Sequence, residues 1–261
     1  MRVGLVLSGG AARGFAHLGV FKALEELHIP IHIISGTSSG AMAGALYGAG
    51  YAPEEIFRMV SETNIVRLMR PAFSKLGLMN LDEVEKMFNR FLQDKTFADL
   101  RFKLIISATD IRQGILVYFS DGEIVKPLVA ASSVPILYKP IFYRDHLLCD
   151  GGLLNNFPVE CLLGESDFII GVHTNPMNHH VEPRSFRHLM ERTFHLAINN
   201  NVEPRLKHCH FLIEPPDLKN YSLLNIRKAR EMFMCGYDHT MFLADKLKAR
   251  MAAVQEQKGN K

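Results

Sequence analysis

The sequence lacks the marks of several protein classes. It contains no tryptophan and only 4 cysteines, none of them in a Cys-x-x-Cys pair, so a disulfide framework is not expected. No apolar run approaches the ~20 residues that a membrane-spanning helix needs. The 30 Lys and Arg nearly balance the 27 Asp and Glu, and the net charge of +3 gives no strong field for nucleic acid. These absences favour a cytoplasmic protein with reduced thiols and no nucleic-acid partner.

The composition and patterning are typical of one globular α/β domain. The 261 residues are 48% hydrophobic and 22% charged, which is enough for a full core without disulfides. Short apolar runs alternate with helical patterns, and this predicts a mainly parallel sheet wrapped by helices. We expect a single domain over residues 1–261, with a helical tail from about residue 224 that is interrupted near Gly236. The predicted strands are Arg2–Leu7, Ile31–Ser35, Lys103–Thr109, Ile115–Phe119 and Phe168–His173.

A glycine-rich turn follows the first predicted strand and precedes a helical pattern. Such a turn aims free backbone N–H groups and the positive end of a helix at one point, which suits an anion. Two nucleotide-binding interpretations fail: Phe15 and Ala16 stand where a P-loop needs Lys and Ser or Thr, and Ala11 replaces the middle glycine of a dinucleotide-binding pattern. An oxyanion-binding loop and a plain strand-to-helix turn remain. The turn is Ser8-Gly9-Gly10-Ala11-Ala12-Arg13-Gly14.

The second glycine site has the form of a nucleophile turn. Gly36-Thr37-Ser38-Ser39-Gly40 follows an apolar strand and precedes the small-residue helical segment Ala41–Gly48. In this G-x-S-x-G context a sharp turn lifts the Ser38 hydroxyl clear of the backbone, and Gly36 and Gly40 remove side chains that would collide. If the first two strands are neighbours, both glycine sites open at one edge of the sheet. Ser38 would then attack a carbonyl while N–H groups around Gly10–Ala12 receive the oxyanion.

A nucleophilic serine needs a base, and the outstanding acid is Asp150. It is followed by Gly151 and Gly152, in a loop where the backbone approaches something closely. Asp-Gly is also the strongest short signal for a type I′ hairpin turn, so a purely structural interpretation competes here. The side chain of Arg13, in the first glycine turn, has two interpretations: added positive charge or an ion pair with an acid.

Three blocks taken together resemble the bacterial patatin-like phospholipases, which are serine lipid acyl hydrolases. The blocks are Gly-Gly-Ala-Ala-Arg-Gly, Gly-Thr-Ser-Ser-Gly and Asp-Gly-Gly, in this order, and Ala130–Pro135 resembles a further family block. The resemblance covers about the first 175 residues. It implies a three-layer α/β/α sandwich with a mainly parallel central sheet.

The resemblance also implies roles for individual residues. Ser38 becomes the nucleophile and Asp150 its partner in a Ser–Asp dyad, with no histidine required. Gly36, Gly40, Gly151 and Gly152 become supporting positions. No metal and no cofactor are expected, and the substrate expected is an acyl lipid. The loop that becomes the oxyanion hole is Gly9, Gly10, Ala11, Ala12, Arg13 and Gly14.

Two positions depart from the family pattern. Ala11 stands where a third glycine is usual, so a positive φ there would strain the loop. Ala131 stands where the block before Asp150 often has serine, which alters local hydrogen bonding. Neither change removes a reacting atom. We therefore expect these departures to affect loop geometry and rate more than the class of reaction.

Contact with lipid has two candidate elements. Residues 64–79 show little periodicity and are bounded by Pro71 and Gly77, which suggests a mobile lid over the site. The tail combines basic residues with Met232, Phe233 and Phe242. It is either a basic amphipathic helix that makes peripheral contact with the inner membrane surface or, as we favour, a helix packed on the core.

Alternative functions remain open at the level of sequence. A Ser–Asp–His hydrolase could use His173 or His195, which follow Asp150 in suitable order. A non-catalytic lipid-binding module on the same scaffold is the second alternative, although such a module would be expected to lose Ser38 or Asp150. A metal site at His208-Cys209-His210 or His179-His180 is disfavoured, because no further ligand is suitably spaced.

Overall fold

The computed structural model describes residues 1–63, 70–71, 79–178, 182–223 and 225–259, and in this part of the chain eight strands form one mixed sheet. Its order is β10-β9-β1-β2-β5-β8-β7, with β6 paired to β5, and β3 and β4 form a separate two-stranded ladder. The strands are β1 Val3–Leu7, β2 Ile33–Gly36, β3 Arg70–Pro71, β4 Met79–Asn80, β5 Lys103–Asp110, β6 Ile115–Phe119, β7 Ile141–Tyr143, β8 His146–Asp150, β9 Phe168–Val172 and β10 Phe211–Ile213.

Helices cover both faces of the sheet. Alternate residues of a strand point to opposite faces, so Leu5 and Ile34 join one apolar cluster while Val6 and Ile33 join another. The helices are α1 Phe15–Glu26, α2 Ser39–Gly48, α3 Pro53–Ser61, α4 Asp82–Leu92, α5 Val125–Ala131, α6 Phe186–Leu206, α7 Ala229–Phe242 and α8 Ala244–Gly259. Helices α1 and α7 contribute to the first cluster and α6 to the second, so the expected α/β/α architecture is confirmed.

The parallel half of the sheet carries the two glycine sites. β1 pairs in parallel with both β2 and β9, and the register places Leu7 opposite Gly36. All five residues of β1 are buried, as expected for a strand covered on both faces. The predicted adjacency of the first two strands is therefore confirmed, and the chain leaves both strands at the same edge.

The antiparallel half of the sheet was only partly predicted. β5 pairs with β8, and β8 pairs with β7 through a two-residue turn at Arg144 and Asp145, whose φ angles are 46° and 64°. Two positive φ angles are the mark of the type I′ hairpin turn. The competing interpretation that placed such a turn at Asp150-Gly151 is therefore wrong. There the chain passes from β8 into a short 3₁₀ helix, Gly151–Leu153.

The helical tail is divided in a different place from the one predicted. The break lies at Leu243, between α7 and α8, and Gly236 lies inside α7. A Cβ on Gly236 would stand 2.1 Å from the carbonyl oxygen of Ala16, so this glycine allows α7 to pack closely on α1. Met232 and Phe233 are buried. This burial agrees with a tail packed on the core.

Two expectations concern contact with membranes and lipid, and the described residues bear on only the first of them. None of the helices in the described ranges is long and apolar enough to cross a membrane. The proposed lid, residues 64–79, lies largely outside the described residues, as do His179 and His180.

Candidate active site

Ser38 lies in a strained turn between β2 and α2. Its φ of 50° and ψ of −125° are unusual for a residue with a side chain, and the strain holds the hydroxyl away from the backbone. A Cβ on Gly40 would stand 2.5 Å from the carbonyl oxygen of Leu7, and a Cβ on Gly36 would stand 2.8 Å from the amide nitrogen of Ala41. Gly40 therefore allows the turn to approach β1, and Gly36 allows the end of β2 to approach the start of α2, so neither position has room for a side chain.

Asp150 is brought to Ser38 by β8. It ends that strand opposite Ala108 of β5, its side chain is buried, and its backbone N–H donates to the Ser133 carbonyl at 2.9 Å. The Ser38 side chain lies close enough to the Asp150 carboxylate to lower its pKa, and Asp150 Oδ1 accepts from the Gly152 N–H at 2.8 Å. The structure thus brings together Ser38 and Asp150, which lie far apart in the sequence.

Burial sets the protonation behaviour of Asp150. Desolvation raises its pKa from 3.8 to about 6, and the neighbouring Ser38 side chain and the hydrogen bond from the Gly152 N–H oppose that rise. The carboxylate is ionised at neutral pH but is more basic than an exposed aspartate. A base whose pKa lies nearer the working pH takes a proton more readily, which suits a group that activates a hydroxyl.

Hydrogen bonds between side chains tie the serine turn to the aspartate loop. Thr37 Oγ1 contacts Ser107 Oγ and donates to the Asn155 carbonyl at 3.2 Å. A Cβ on Gly151 would stand 2.6 Å from the Ser107 carbonyl oxygen, so the backbone after Asp150 rests directly on β5. The relative position of Ser38 and Asp150 is therefore fixed by rigid elements on both sides.

The glycine-rich turn lies beside Ser38, but only part of it has free donors. A Cβ on Gly9 would stand 3.1 Å from the Ser38 Cβ, so the two loops touch. The N–H groups of Gly9, Ala12 and Arg13 donate to the carbonyls of Asn156, Leu223 and Gly10 at 3.2, 2.9 and 2.9 Å.

Among the described residues, the N–H groups of Gly10 and Ala11 have no acceptor, and neither has that of Ser39, at the start of α2. These three donors are the candidates for an oxyanion hole. Ser39 was not predicted, although the residue after the nucleophile is a frequent donor in G-x-S-x-G turns. Ala11 has a φ of 47°, so the substitution of the usual glycine does place a side chain in a strained conformation.

Two asparagines hold the glycine-rich turn through the carbonyl group of Gly9. Asn156 Nδ2 donates to the Gly9 carbonyl oxygen at 3.1 Å, and Asn175 Nδ2 donates to the same atom. The Gly9 carbonyl and the Gly10 N–H belong to one planar peptide group and point in opposite directions. Fixing the carbonyl therefore fixes the direction of the Gly10 N–H. Both asparagines are buried, and no local sequence pattern predicts this contact.

A further set of contacts holds the start of the loop. Ser8 Oγ accepts from the Thr174 N–H at 3.0 Å, and the ring N–H at Nε2 of His17 donates to the Ser8 carbonyl, 2.8 Å away. Burial lowers the pKa of His17 to about 4, so this ring is neutral at physiological pH. Arg13 Nε donates to the Tyr221 carbonyl at 2.8 Å, which connects the loop to the chain before α7.

The histidines considered for a triad have other partners. His173 Nδ1 contacts Glu214 Oε1 at 2.6 Å, and His195 Nε2 donates to the Asn175 carbonyl at 3.2 Å. Within the part of the chain that the structure describes, neither ring hydrogen-bonds to Ser38 or Asp150. The described residues also hold no group of three or more His, Cys, Asp or Glu placed to bind a metal.

Comparison with known proteins finds relatives that are similar in sequence. Lysophospholipase NTE1 of Kluyveromyces lactis is 28% identical over 268 residues, which is 90% of this chain but only 18% of the yeast protein. An uncharacterized NTE family protein of Mycobacterium tuberculosis is 30% identical over 177 residues, 67% of this chain and 49% of that protein. The chain thus spans half or less of the length of these relatives.

Solved structures and a family model agree with these relatives. VipD from Legionella pneumophila matches with a TM-score of 0.63 over 94% of this chain and 67% of its own, at 16% identity. The type III effector ExoU matches with a TM-score of 0.52 over 94% of this chain and 53% of its own, also at 16% identity. The family model for patatin-like phospholipases matches residues 5–163, which include Ser38 and Asp150. The chain belongs to the patatin-like phospholipase family.

Proposed function

We propose that this protein is a lipid acyl hydrolase that cleaves carboxylic esters with a Ser38–Asp150 dyad. One observation carries the proposal: Ser38 stands in a strained turn, beside a buried carboxylate whose pKa burial raises and Ser38 lowers in part. A strained serine beside a carboxylate is the arrangement needed to activate a hydroxyl as a nucleophile. The lysophospholipase relative supports an acyl lipid as the substrate.

The acylation step moves one proton and exchanges one bond. Ser38 Oγ attacks the ester carbonyl carbon while its proton passes to the Asp150 carboxylate. The carbonyl oxygen becomes an oxyanion, which the N–H groups of Gly10, Ala11 and Ser39 receive. One such donor contributes ~3–4 kcal/mol to the transition state. When the intermediate collapses, the ester C–O bond breaks, and Asp150 returns its proton to the leaving alcohol.

Deacylation repeats the sequence with water as the nucleophile. The Asp150 carboxylate accepts a proton from water as the water oxygen attacks the acyl carbon bound to Ser38. The same three N–H groups stabilise the second oxyanion, and the proton returns to Ser38 Oγ as the free carboxylic acid leaves. Every proton in both steps passes through Asp150, so the mechanism needs neither a histidine nor a metal ion.

Hydrolysis of a water-soluble p-nitrophenyl ester by the pure protein tests the proposal. Ser38→Ala and Asp150→Asn should each lower kcat/KM by at least ~10³-fold, because each removes a reacting group. Ser35→Ala is the matched control, since its buried hydroxyl has no partner among the described residues and lies three positions from the nucleophile. Circular dichroism should show all three variants folded.

The same assay separates the dyad from the triad alternative. His173→Gln and His195→Gln should keep most of the activity, because neither ring contacts Ser38 or Asp150 in the described part of the chain. A loss from either histidine variant as large as that from Asp150→Asn would favour a Ser–Asp–His triad. Full activity in Ser38→Ala would refute the proposed function altogether.

A further inference from the structure

The first half of α6 exposes large apolar side chains to solvent. The fractional exposures are 77% for Phe186, 52% for Leu189, 44% for Met190 and 47% for Leu196. At 3.6 residues per turn, each residue turns the helix by about 100°, so these four side chains fall within an arc of about 120° on one side of the helix. We call them the apolar face of α6. A contiguous apolar face in water usually marks an interaction surface.

The opposite side of α6 is already used by the core. His195, Ile198 and Val202 are buried, and Ile198 and Val202 belong to the apolar cluster on that side of the sheet. A surface helix normally presents polar side chains opposite its core-facing stripe. In α6 the outward side is apolar as well, so the face has no role in the packing described here.

A basic cavity adjoins this helix. It has a volume of about 190 Å³, far above the ~15 Å³ that one water needs, so a tetrahedral anion fits. No acidic residue is among its described lining residues. Guanidinium groups suit phosphate, because their N–H fork matches two oxygens at once. The charged or titratable residues that line the cavity are Arg13, His188, Arg192, His195 and Lys219.

The positive charge in the cavity also affects a neighbouring group. Burial lowers the pKa of His195, and the charges of Arg13 and Arg192 lower it further. Arg192 is held in place on the cavity wall, because its Nη1 donates to the Asn178 carbonyl at 2.8 Å. The cavity therefore contains fixed cationic groups, which favours a bound anion.

The basic cavity and helix α6 are both connected to the candidate active site. Arg13 lies in the glycine-rich turn beside Ser38, and its Nε donates to the carbonyl of Tyr221, a residue that lines the cavity. Asn201 of α6 donates to the Gly152 carbonyl at 3.1 Å and accepts from the Asn156 N–H at 2.9 Å. An object bound along α6 would thus lie against the elements that hold Ser38 and Asp150.

We propose that α6 docks this protein on a phospholipid surface, with its apolar face among the acyl chains and a headgroup phosphate in the basic cavity. An apolar stripe beside cationic groups complements such a surface, which offers acyl chains beneath anionic headgroups. The proposal rests on the proposed function in one respect, namely that the docked lipid is the source of substrate. It also differs from the interpretation of the tail as the membrane contact.

Vesicle co-sedimentation tests the apolar half of the proposal. The assay uses the Ser38→Ala protein, so that lipid is not consumed, and vesicles of phosphatidylcholine with phosphatidylglycerol. Phe186→Ser with Leu189→Ser should weaken binding by at least about tenfold, because two large apolar side chains no longer enter the lipid. Phe242→Ser of α7 is the matched control, since Phe242 is also 77% exposed, and it should bind like the parent.

Two results would overturn the docking proposal. Unchanged binding by the double serine variant would do so, and so would an equal loss in Phe242→Ser, which would return the membrane contact to the tail. Sedimentation velocity tests the remaining possibility, which is that a second copy of this chain covers the apolar face of α6. A parent dimer that Phe186→Ser with Leu189→Ser dissociates would show that the face is covered by a second copy instead.

The basic cavity is tested by its charges. Arg192→Gln with Lys219→Gln should lower affinity for the same vesicles about tenfold at low salt and remove most of its salt dependence. Lys207→Gln with Lys248→Gln is the control, because it removes the same charge from exposed positions outside the cavity lining. Equal losses in the two pairs would overturn the headgroup assignment. The headgroup assignment would also be overturned if inorganic phosphate bound the parent but not the variant with Arg192→Gln and Lys219→Gln, while both proteins bound vesicles with the same affinity.

The docking and chemical proposals fail in different ways. With Ser38 restored, all docking variants should hydrolyse the soluble p-nitrophenyl ester at parental rates, because that substrate needs no surface. Failure of the ester assay with intact vesicle binding would refute the proposed function alone. Normal ester hydrolysis with vesicle binding that is indifferent to α6 would refute the docking proposal alone.

Discussion

At the scale of single residues, the candidate site depends on a carboxylate that burial makes more basic. Desolvation raises the pKa of Asp150 to about 6, and only the ionised form can accept the Ser38 proton. We therefore expect kcat/KM for a soluble ester to rise with pH and to level off above about pH 7. The measurement is a pH–rate profile from pH 4.5 to 8, with the folded state verified at each pH. A profile that stayed flat through pH 6 would contradict the role of Asp150 as base.

The asparagine contacts to Gly9 give a second prediction at this scale. Asn156→Ala and Asn175→Ala should each lower kcat about 10–100-fold with KM nearly unchanged, because the direction of the Gly10 N–H matters most in the transition state. Asn155→Ala is the matched control. Asn155 is equally buried, but its side chain bonds to Glu160 and the Phe157 N–H and does not reach Gly9.

A loss of kcat in Asn155→Ala as large as in the other two variants would show that the effect is general destabilisation of the loop. A rise in KM with unchanged kcat in Asn156→Ala and Asn175→Ala would show that these side chains position the substrate instead. Urea unfolding of all three variants provides the stability against which the kinetic effects are compared.

At the scale of elements, the closest helix packing depends on Gly236. An alanine Cβ there would stand 2.1 Å from a backbone oxygen of α1, which cannot swing aside as a side chain could. Gly236→Ala should therefore lower the free energy of unfolding by about 1–3 kcal/mol despite the higher helix propensity of alanine. Gly44→Ala of α2 is the control, because its Cβ would meet only side-chain carbons at 3.1 Å. Equal stability changes in urea unfolding would contradict this account of the α1–α7 contact.

The strands and helices show which elements sequence patterns could predict and which they could not. The buried parallel strands are continuous apolar runs, so β1, β2, β5 and β9 were predicted to within about two residues, as such boundaries usually are. Gly236 was misread as a break, because a glycine that ends a helix and one that admits a neighbouring helix look alike in sequence. Helix α6 was missed, since it is apolar on two sides and lacks a single amphipathic stripe.

The residues of the candidate site also divide into those that sequence patterns could predict and those that they could not. Ser38 and Asp150 were predictable because each lies in a short glycine motif whose backbone shape is local. Asn156 and Asn175 were not, because their role depends on where β8 and β9 end relative to Gly9, and no local pattern records that contact. The free N–H of Ser39 needed the same information, since it depends on which donors the fold leaves unused.

At the scale of the whole molecule, the site costs stability. A carboxylate whose pKa is raised on folding opposes folding above that pKa and has no effect below its unfolded value. The rise from 3.8 to about 6 at Asp150 corresponds to about 3 kcal/mol at neutral pH. Asp150→Asn should thus be more stable than the parent by about 1–3 kcal/mol at pH 7.5, with the difference closing between pH 6 and pH 4.

Urea unfolding across that pH range checks this stability difference. Asp238→Asn, an exposed change on α7, is the control and should show no such trend. A parent that is more stable than Asp150→Asn at pH 7.5 would mean that the carboxylate is compensated by contacts stronger than those of Ser38 and Gly152. The trade between stability and reactivity would then not apply to this site.

The most direct test of the central claim is the reaction of the pure protein with a fluorophosphonate, with the adduct located by mass spectrometry. We expect one adduct, on Ser38, whose rate of formation falls sharply in folded Asp150→Asn, because the hydroxyl has lost its base. Labelling is repeated with detergent or vesicles, so that a site that the probe cannot reach is not mistaken for an unreactive serine. A Ser38 that stays unlabelled under both conditions, or that reacts equally fast in Asp150→Asn, would contradict the activated dyad.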